Sequence, residues 1–280
     1  MLHRKRHVLF VLVLSSLLAA PATARQRDTG FLNRVVKVDG VEYRYQVYVP
    51  ADWSKHQKWP VILFLHGAGE RGEDGLFPSE IGIGNAIRRH AERFPCIVVI
   101  PQCRKDGWWT HANMEAQVFK ALDQAVKEFQ GDTQRLYLTG LSMGGYGAMK
   151  LGLKYPQMFS AAASLSGAFG AARWTHRPIE DAVFQKLIEG VYGPRENPGR
   201  AAEDPFELIK KVPAELCPQL YISVGSGDFL LDENREFVRL LGELKVSYEY
   251  REFPGKHEWP VWDREIQVVL ALQAPVIGVR

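Results

Sequence analysis

One serine stands out by its neighbours. The stretch "GLSMG" (140–144) sets Ser142 between glycines, after an apolar run at 136–139 and before a helix-forming run at 146–151. Glycine has no Cβ to clash, so the chain turns sharply there at little steric cost. A G-x-S-x-G between a strand and a helix lifts the serine hydroxyl clear of the sheet; the plainer alternative is a serine that only caps the helix. A neutral hydroxyl is a weak nucleophile. It needs a base within hydrogen-bond reach and a group that orients the base.

Both partners have candidates at matching places. "ISVGSGDFLLDEN" puts Asp228 in the loop after an apolar strand, and "YEYREFPGKHEWP" puts His257 after the last one. The order serine, acid, histidine suits a serine on such a turn. Asp232 and Glu233 compete as acids but read as the start of a helix, where carboxylates favour the dipole and free amides. Of eight histidines, His257 alone follows the final strand, while His66 precedes the glycines of an early loop and is expected to shape it. His56, His90, His111 and His176 have no acid at a matching position. Negative charge on a substrate oxygen needs two backbone amides, and Met143 supplies one. "FLHGAGERG" supplies the other through Ala68, unless its glycines only make a turn.

The elements that must hold these residues are legible as runs. "RVVKVDG" and "YRYQVYVP" alternate apolar and polar residues across Gly40, as a hairpin does. "VILFLHG", "CIVVIPQ", "RLYLTG", "SAAASLSG" and "QLYISVG" are short, nearly continuous apolar runs, as in strands covered on both faces. Helical periodicity separates them at 115–129 and 232–244, and "SYEYREF" closes the series. Strands alternating with helices predict an α/β protein with a mostly parallel sheet and helices on both faces. Ligands bind such sheets at the carboxyl ends of the strands, where His66, Gln102, Ser142, Ser166, Asp228 and His257 fall. Residues 168–216 break the rhythm and are expected to form an insertion over that edge within one domain spanning 25–280.

A hydrophobic content of 46% and a charged content of 24% leave ample material for a core. The N-terminus is a different matter. "HRKRH", "VLFVLVLSSLLAA" and "ATA" follow one another as a basic region, an apolar stretch and a small-x-small site, which predicts a signal peptide over 1–24 and export to the periplasm or beyond. The apolar stretch is short for a membrane span. Removing Arg4, Lys5 and Arg6 takes the formal net charge from +3 to zero, so nothing basic remains to attract nucleic acid or an anionic membrane. Cys96 and Cys103 bracket "IVVIPQ"; a strand there holds them roughly 20 Å apart, too far for a disulfide. No Cys-x-x-Cys or Cys/His cluster argues for a metal.

"FLHGAGERG", "GLSMGGYGA", "GSGDFLLDENREF" and "YREFPGKHEWPVWDREI" together resemble the secreted esterase branch of the α/β-hydrolase superfamily, which includes esterase D-like, feruloyl and acetylxylan esterases. The likeness runs from about residue 35 to about 270. It implies an α/β-hydrolase fold, attack by Ser142 on an acyl carbon, proton transfer by His257, orientation by Asp228, and an oxyanion hole at the Ala68 and Met143 amides. It implies neither metal nor cofactor. The implied substrate is a small-molecule or polysaccharide-linked ester with a short acyl or hydroxycinnamoyl group. The "HGAGERG" form also occurs in related peptidases, so a peptidase using the same triad is the second reading; a non-catalytic binding protein on this fold is the third. "DGWWTH" carries Trp108 and Trp109 at the active edge, where they either stack on substrate or cover the core. Glu70 and Arg71 either contact substrate or pair with each other in solvent.

Overall fold

A computed structural model describes residues 28–176, 182–194 and 196–277. The leader expected over 1–24 lies outside the described residues. Eight strands form one sheet: β1 (Gly30–Val38), β2 (Val41–Val49), β3 (Trp59–Leu65), β4 (Ile97–Pro101), β5 (Gly131–Leu141), β6 (Ala161–Leu165), β7 (Gln219–Gly225) and β8 (Tyr248–Phe253), in the order β1-β2-β4-β3-β5-β6-β7-β8. β1 and β2 form the expected hairpin and β2 meets β4 antiparallel; every other pairing is parallel. The hairpin closes through Asp39 and Gly40, both at positive φ (48° and 81°), the two-residue turn whose twist matches paired strands.

The helices are α1 (Phe77–Glu80), α2 (Ile83–Arg89), α3 (Ala112–Glu128), α4 (Met143–Lys154), α5 (Ala182–Tyr192), α6 (Pro205–Leu208), α7 (Leu231–Glu243) and α8 (Trp259–Ile277). Side chains alternate across a strand, and β3 uses both faces for burial. Val61, Leu63 and Leu65 pack with Val118 and Leu122 of α3 and Tyr146 and Leu151 of α4. Ile62 and Phe64 pack with Ile83 and Ile87 of α2 and Val261, Ile266 and Val269 of α8. Helix α8 escapes the sequence reading because Pro260 interrupts its start. At its second position, however, the missing amide has no intrahelical acceptor to lose.

The stretch between β6 and β7 carries helices and 3₁₀ turns and, among the described residues, no strand. Phe206 and Ile209 join Met149 of α4 and Phe237 and Leu241 of α7 in a third cluster. Tyr146 Oη donates to the Glu203 carbonyl at 2.6 Å. Lys150, fully buried on α4, holds Glu115 of α3 and Glu203 of this stretch, each at 2.6 Å, and Lys154 reaches both carboxylates. Helix α4 is thereby fastened by charge on one side and by the sheet on the other. Lys150→Met should destabilise the protein by about 3 kcal/mol, because removing one partner leaves buried carboxylates undercompensated; urea unfolding at neutral pH measures it.

Candidate active site

Between β5 and α4 the chain turns at Ser142, whose φ of 54° and ψ of −120° lie outside the comfortable range of a side-chain-bearing residue. The sequence places the turn correctly but suggests that its glycines take the bend. In the structure they serve close approach instead. A Cβ on Gly140 would come within 2.1 Å of the Gly144 carbonyl oxygen, and one on Gly144 within 2.0 Å of the Leu65 oxygen. They are glycines so that the ends of β3 and β5 and the start of α4 can touch backbone to backbone. The Ser142 amide donates to the Leu165 carbonyl at 2.9 Å, and its carbonyl accepts from Tyr146 and Ala168, fixing the strained residue from three sides.

Ser142 Oγ lies 2.8 Å from His257 Nε2. On the other side of the ring, Nδ1 lies 3.0 and 2.9 Å from the two oxygens of Asp228. The carboxylate needs an N–H, so the proton sits on Nδ1 and Nε2 is left to accept from the serine. Asp228, not Asp232 or Glu233, is the acid that reaches the histidine; the latter two stand in the first turn of α7. The Asp228 side chain is fully buried while His257 keeps some exposure. Burial pushes the Asp228 carboxyl up. Hydrogen bonds from His257, the Leu230 amide and Ser166 outweigh that and leave it below the usual aspartate range, ionised at neutral pH.

The two expected amides open helical turns. Met143 is the first residue of α4, and Ala68 the first of a 3₁₀ turn, Ala68–Glu70. Leading amides have no intrahelical acceptor, and the positive end of α4 adds to the attraction for an anion. Gly67 lies against Ser142: a Cβ there would stand 3.5 Å from the serine Cβ. The loop is braced from behind. His66 Nδ1 donates to the Gly67 carbonyl at 2.6 Å, and its Nε2 accepts from the Cys103 amide at 2.9 Å. Arg71 donates to the Ala68 and Gly107 carbonyls, and Gln102 to that of Glu70.

Two expectations change. Trp108 and Trp109 are 2% and 0% exposed, so neither offers a face to a substrate. They belong to the core, with Trp109 donating to the His66 carbonyl at 3.0 Å and lying against Gly147. The covering role wins because both rings pack into the core cluster that holds Val118 and Tyr146. Glu70 and Arg71 do not pair in solvent either: Arg71 is spent on carbonyls, and Glu70 is buried in the loop after β3 with no hydrogen bond to Oε2. Burial pushes the Glu70 carboxyl up, partly offset by the Gly67 and Glu70 amides and the His257 charge. Aromatic contact with His257 comes instead from the buried Trp262, with ring centroids 4.8 Å apart, and from Phe229, 68% exposed with its ring at 4.6 Å. The place of Phe229 next to Asp228 is the signal that the sequence offers.

Burial pushes the thiols of Cys96 and Cys103 up to about 12, and both are unpaired, as is Cys217.

Residues 40–271 match the sequence profile of the Esterase family. The chain belongs to that family. As a member of it, this esterase is a carboxylic ester hydrolase, and it has the α/β-hydrolase fold. Among its relatives is the acetyl esterase of Caldicellulosiruptor saccharolyticus, 30% identical over 244 residues that span 83% of this chain and 88% of the relative. The fold of the esterase is shared with the S-formylglutathione hydrolase of Staphylococcus aureus (TM-score 0.70, 22% identity, 87% of this chain and 98% of that one). It is shared as well with a ferulic acid esterase (TM-score 0.69, 20% identity, 86% and 96%).

Two measurements test this geometry. Gly144→Ala forces the Leu65 carbonyl away from α4 and should lower ester turnover by about 100-fold, the cost of misplacing a reacting group by about 1 Å. Steady-state kinetics on the folded variant reads the loss. The second concerns His66, whose imidazole burial pushes down from 6.5 to about 4 against the opposing bond to Gly67. Between those values the unfolded chain takes up a proton that the folded one refuses, so stability falls as pH drops through that window and levels off below it. The contribution is about 3 kcal/mol. Urea midpoints from pH 7 to 4 should fall less steeply for His66→Asn than for the wild type.

Proposed function

We propose that this esterase is exported and removes short acyl groups, acetyl foremost, from hydroxyl-bearing alcohols such as those of a polysaccharide. The observation that carries the chemistry is the unbroken hydrogen-bonded line from Ser142 through His257 to Asp228. Ser142 Oγ attacks the ester carbonyl carbon while His257 Nε2 takes its proton. Charge collects on the carbonyl oxygen, which the Ala68 and Met143 amides receive. Collapse expels the alcohol, protonated by the His257 imidazolium, and leaves Ser142 acylated. Water, deprotonated by His257, then attacks the acyl carbon and restores the serine. Asp228 stays ionised throughout and stabilises the imidazolium.

The relative named as an acetyl esterase favours the short acyl group over hydroxycinnamoyl. The burial of Trp108 and Trp109 points the same way, since it removes the aromatic platform that a feruloyl ring would use at that loop. Phe229 at the rim offers a single apolar face, suited to a sugar ring on the alcohol side. The leader "HRKRHVLFVLVLSSLLAAPATA" supports export.

A matched acetyl, feruloyl and anilide panel tests the reading. Acetyl ester turnover should exceed the other two, and Ser142→Ala should lower it by about 10⁴-fold or more. Comparable anilide turnover would indicate a peptidase, and a feruloyl preference would overturn the acyl assignment. Mass spectrometry of exported protein should find an N-terminus at Arg25.

A further inference from the structure

The loops after β3 and β4 frame a cavity of about 560 Å³ that the reacting line leaves unused. Its size falls among those of small-molecule sites, roughly 300–1,000 Å³. Gly69 lines it and directly follows Ala68, the expected oxyanion donor. Gly67 in turn lies against Ser142, and the two steps of chain from Gly67 to Gly69 span about 7 Å at most. The cavity therefore borders the reacting centre. Gly69 is not at positive φ, and a Cβ there would meet nothing within 4 Å, so neither backbone nor packing calls for a glycine. Its bareness leaves the edge between the cavity and Ala68 open.

The other lining residues are of two kinds. Phe77, the first residue of α1, is 43% exposed and offers an aromatic face. Around it stand two cations, Arg71 and Lys105, and two anions, Glu73 and Asp74. These charges cancel, so an ion gains no net attraction. A neutral ligand rich in hydroxyls, each able to donate and to accept, uses both signs. A sugar ring combines such hydroxyls with an apolar C–H face that lies flat on an aromatic ring.

Most of this wall is set before a ligand arrives. Asp74 Oδ1 accepts from the Leu76 and Phe77 amides at 2.6 and 2.9 Å, and Glu73 is paired with Arg104 at 2.7 Å. Gly72 donates to the Cys103 carbonyl at 2.9 Å, and Gln102 bonds both Gly75 and Glu70, which joins the two loops. Such preorganisation lowers the cost of binding. Lys105 differs. It is exposed and, among the described residues, its ammonium has no hydrogen-bond or ion-pair partner, which leaves a donor for the ligand.

We propose that this cavity is a saccharide subsite, taking the uncharged sugar ring next to the one whose acetyl group is removed at Ser142, with Phe77 against the ring face and Lys105 on its hydroxyls. The proposal rests on the reading of the substrate as an acetylated polysaccharide alcohol. Arg71 ties the subsite to the chemistry, since it both lines the cavity and holds the Ala68 carbonyl at 2.9 Å.

Phe77→Ala and Lys105→Ala change exposed side chains outside the reacting line. On monoacetylated xylobiose, Phe77→Ala should raise KM about 10-fold and Lys105→Ala about 3-fold, each with kcat unchanged. On ethyl acetate, which has no ring to seat, both variants should match the wild type, and Phe77→Trp should keep the low KM on the disaccharide. Calorimetric titration of xylobiose into Ser142→Ala reads the subsite without turnover; binding is expected there, and its loss when Phe77→Ala is added. An equal rise in KM on both esters would mean a disturbed loop and overturn the subsite. Wild-type KM in both variants, or no xylobiose binding to Ser142→Ala, would do the same. A wild type that prefers feruloyl esters or anilides sinks the underlying reading instead, while the titration still decides the cavity.

Discussion

The contact on which the rest of this molecule depends is backbone against backbone. Where β3, β5 and α4 converge, Gly140 approaches the carbonyl of Gly144, and Gly144 approaches the carbonyl of Leu65, at distances that no side chain tolerates. Everything chemical is arranged around that convergence. It forces Ser142 to carry the positive φ itself, it brings the first amides of α4 beside the loop after β3, and it needs a helix that does not drift. Lys150 and its carboxylates supply the last of these from the far side of α4.

The remaining members of the site sit at the ends of later strands and are held by what surrounds them. Asp228 follows β7 and is held by the Leu230 amide and by His257 Nδ1. His257 follows β8, the edge strand, and keeps more exposure than the aspartate it faces. Its position is set less by the strand than by its neighbours, Phe229 on one side and Trp262 on the other. A parallel sheet places these loops on one edge, and burial decides the finer geometry within them.

Much of this is legible in the sequence. Apolar runs with glycine and proline between them mark the strands, because a strand covered on both faces has little freedom of composition. Ser142, Asp228 and His257 stand out as candidates by their places after particular strands, and the fold brings their side chains within hydrogen-bond reach. What escapes is tertiary. Nothing in "DGWWTH" tells whether two tryptophans face outward or inward, since the same residues suit a core and a rim. Helix α8 is hidden by Pro260, and with it the position of Trp262, which on a helix turns back toward His257 and Ser166. Glu70 is charged in the sequence and buried in the fold, an outcome that composition argues against and only packing decides.

Cys96 and Cys103 are sealed inside the core as thiols, and Cys217 is unpaired as well. Among the described residues, then, no covalent bridge contributes to the native state. Non-covalent contacts hold it, so a reducing agent finds no bridge among the described residues to cut.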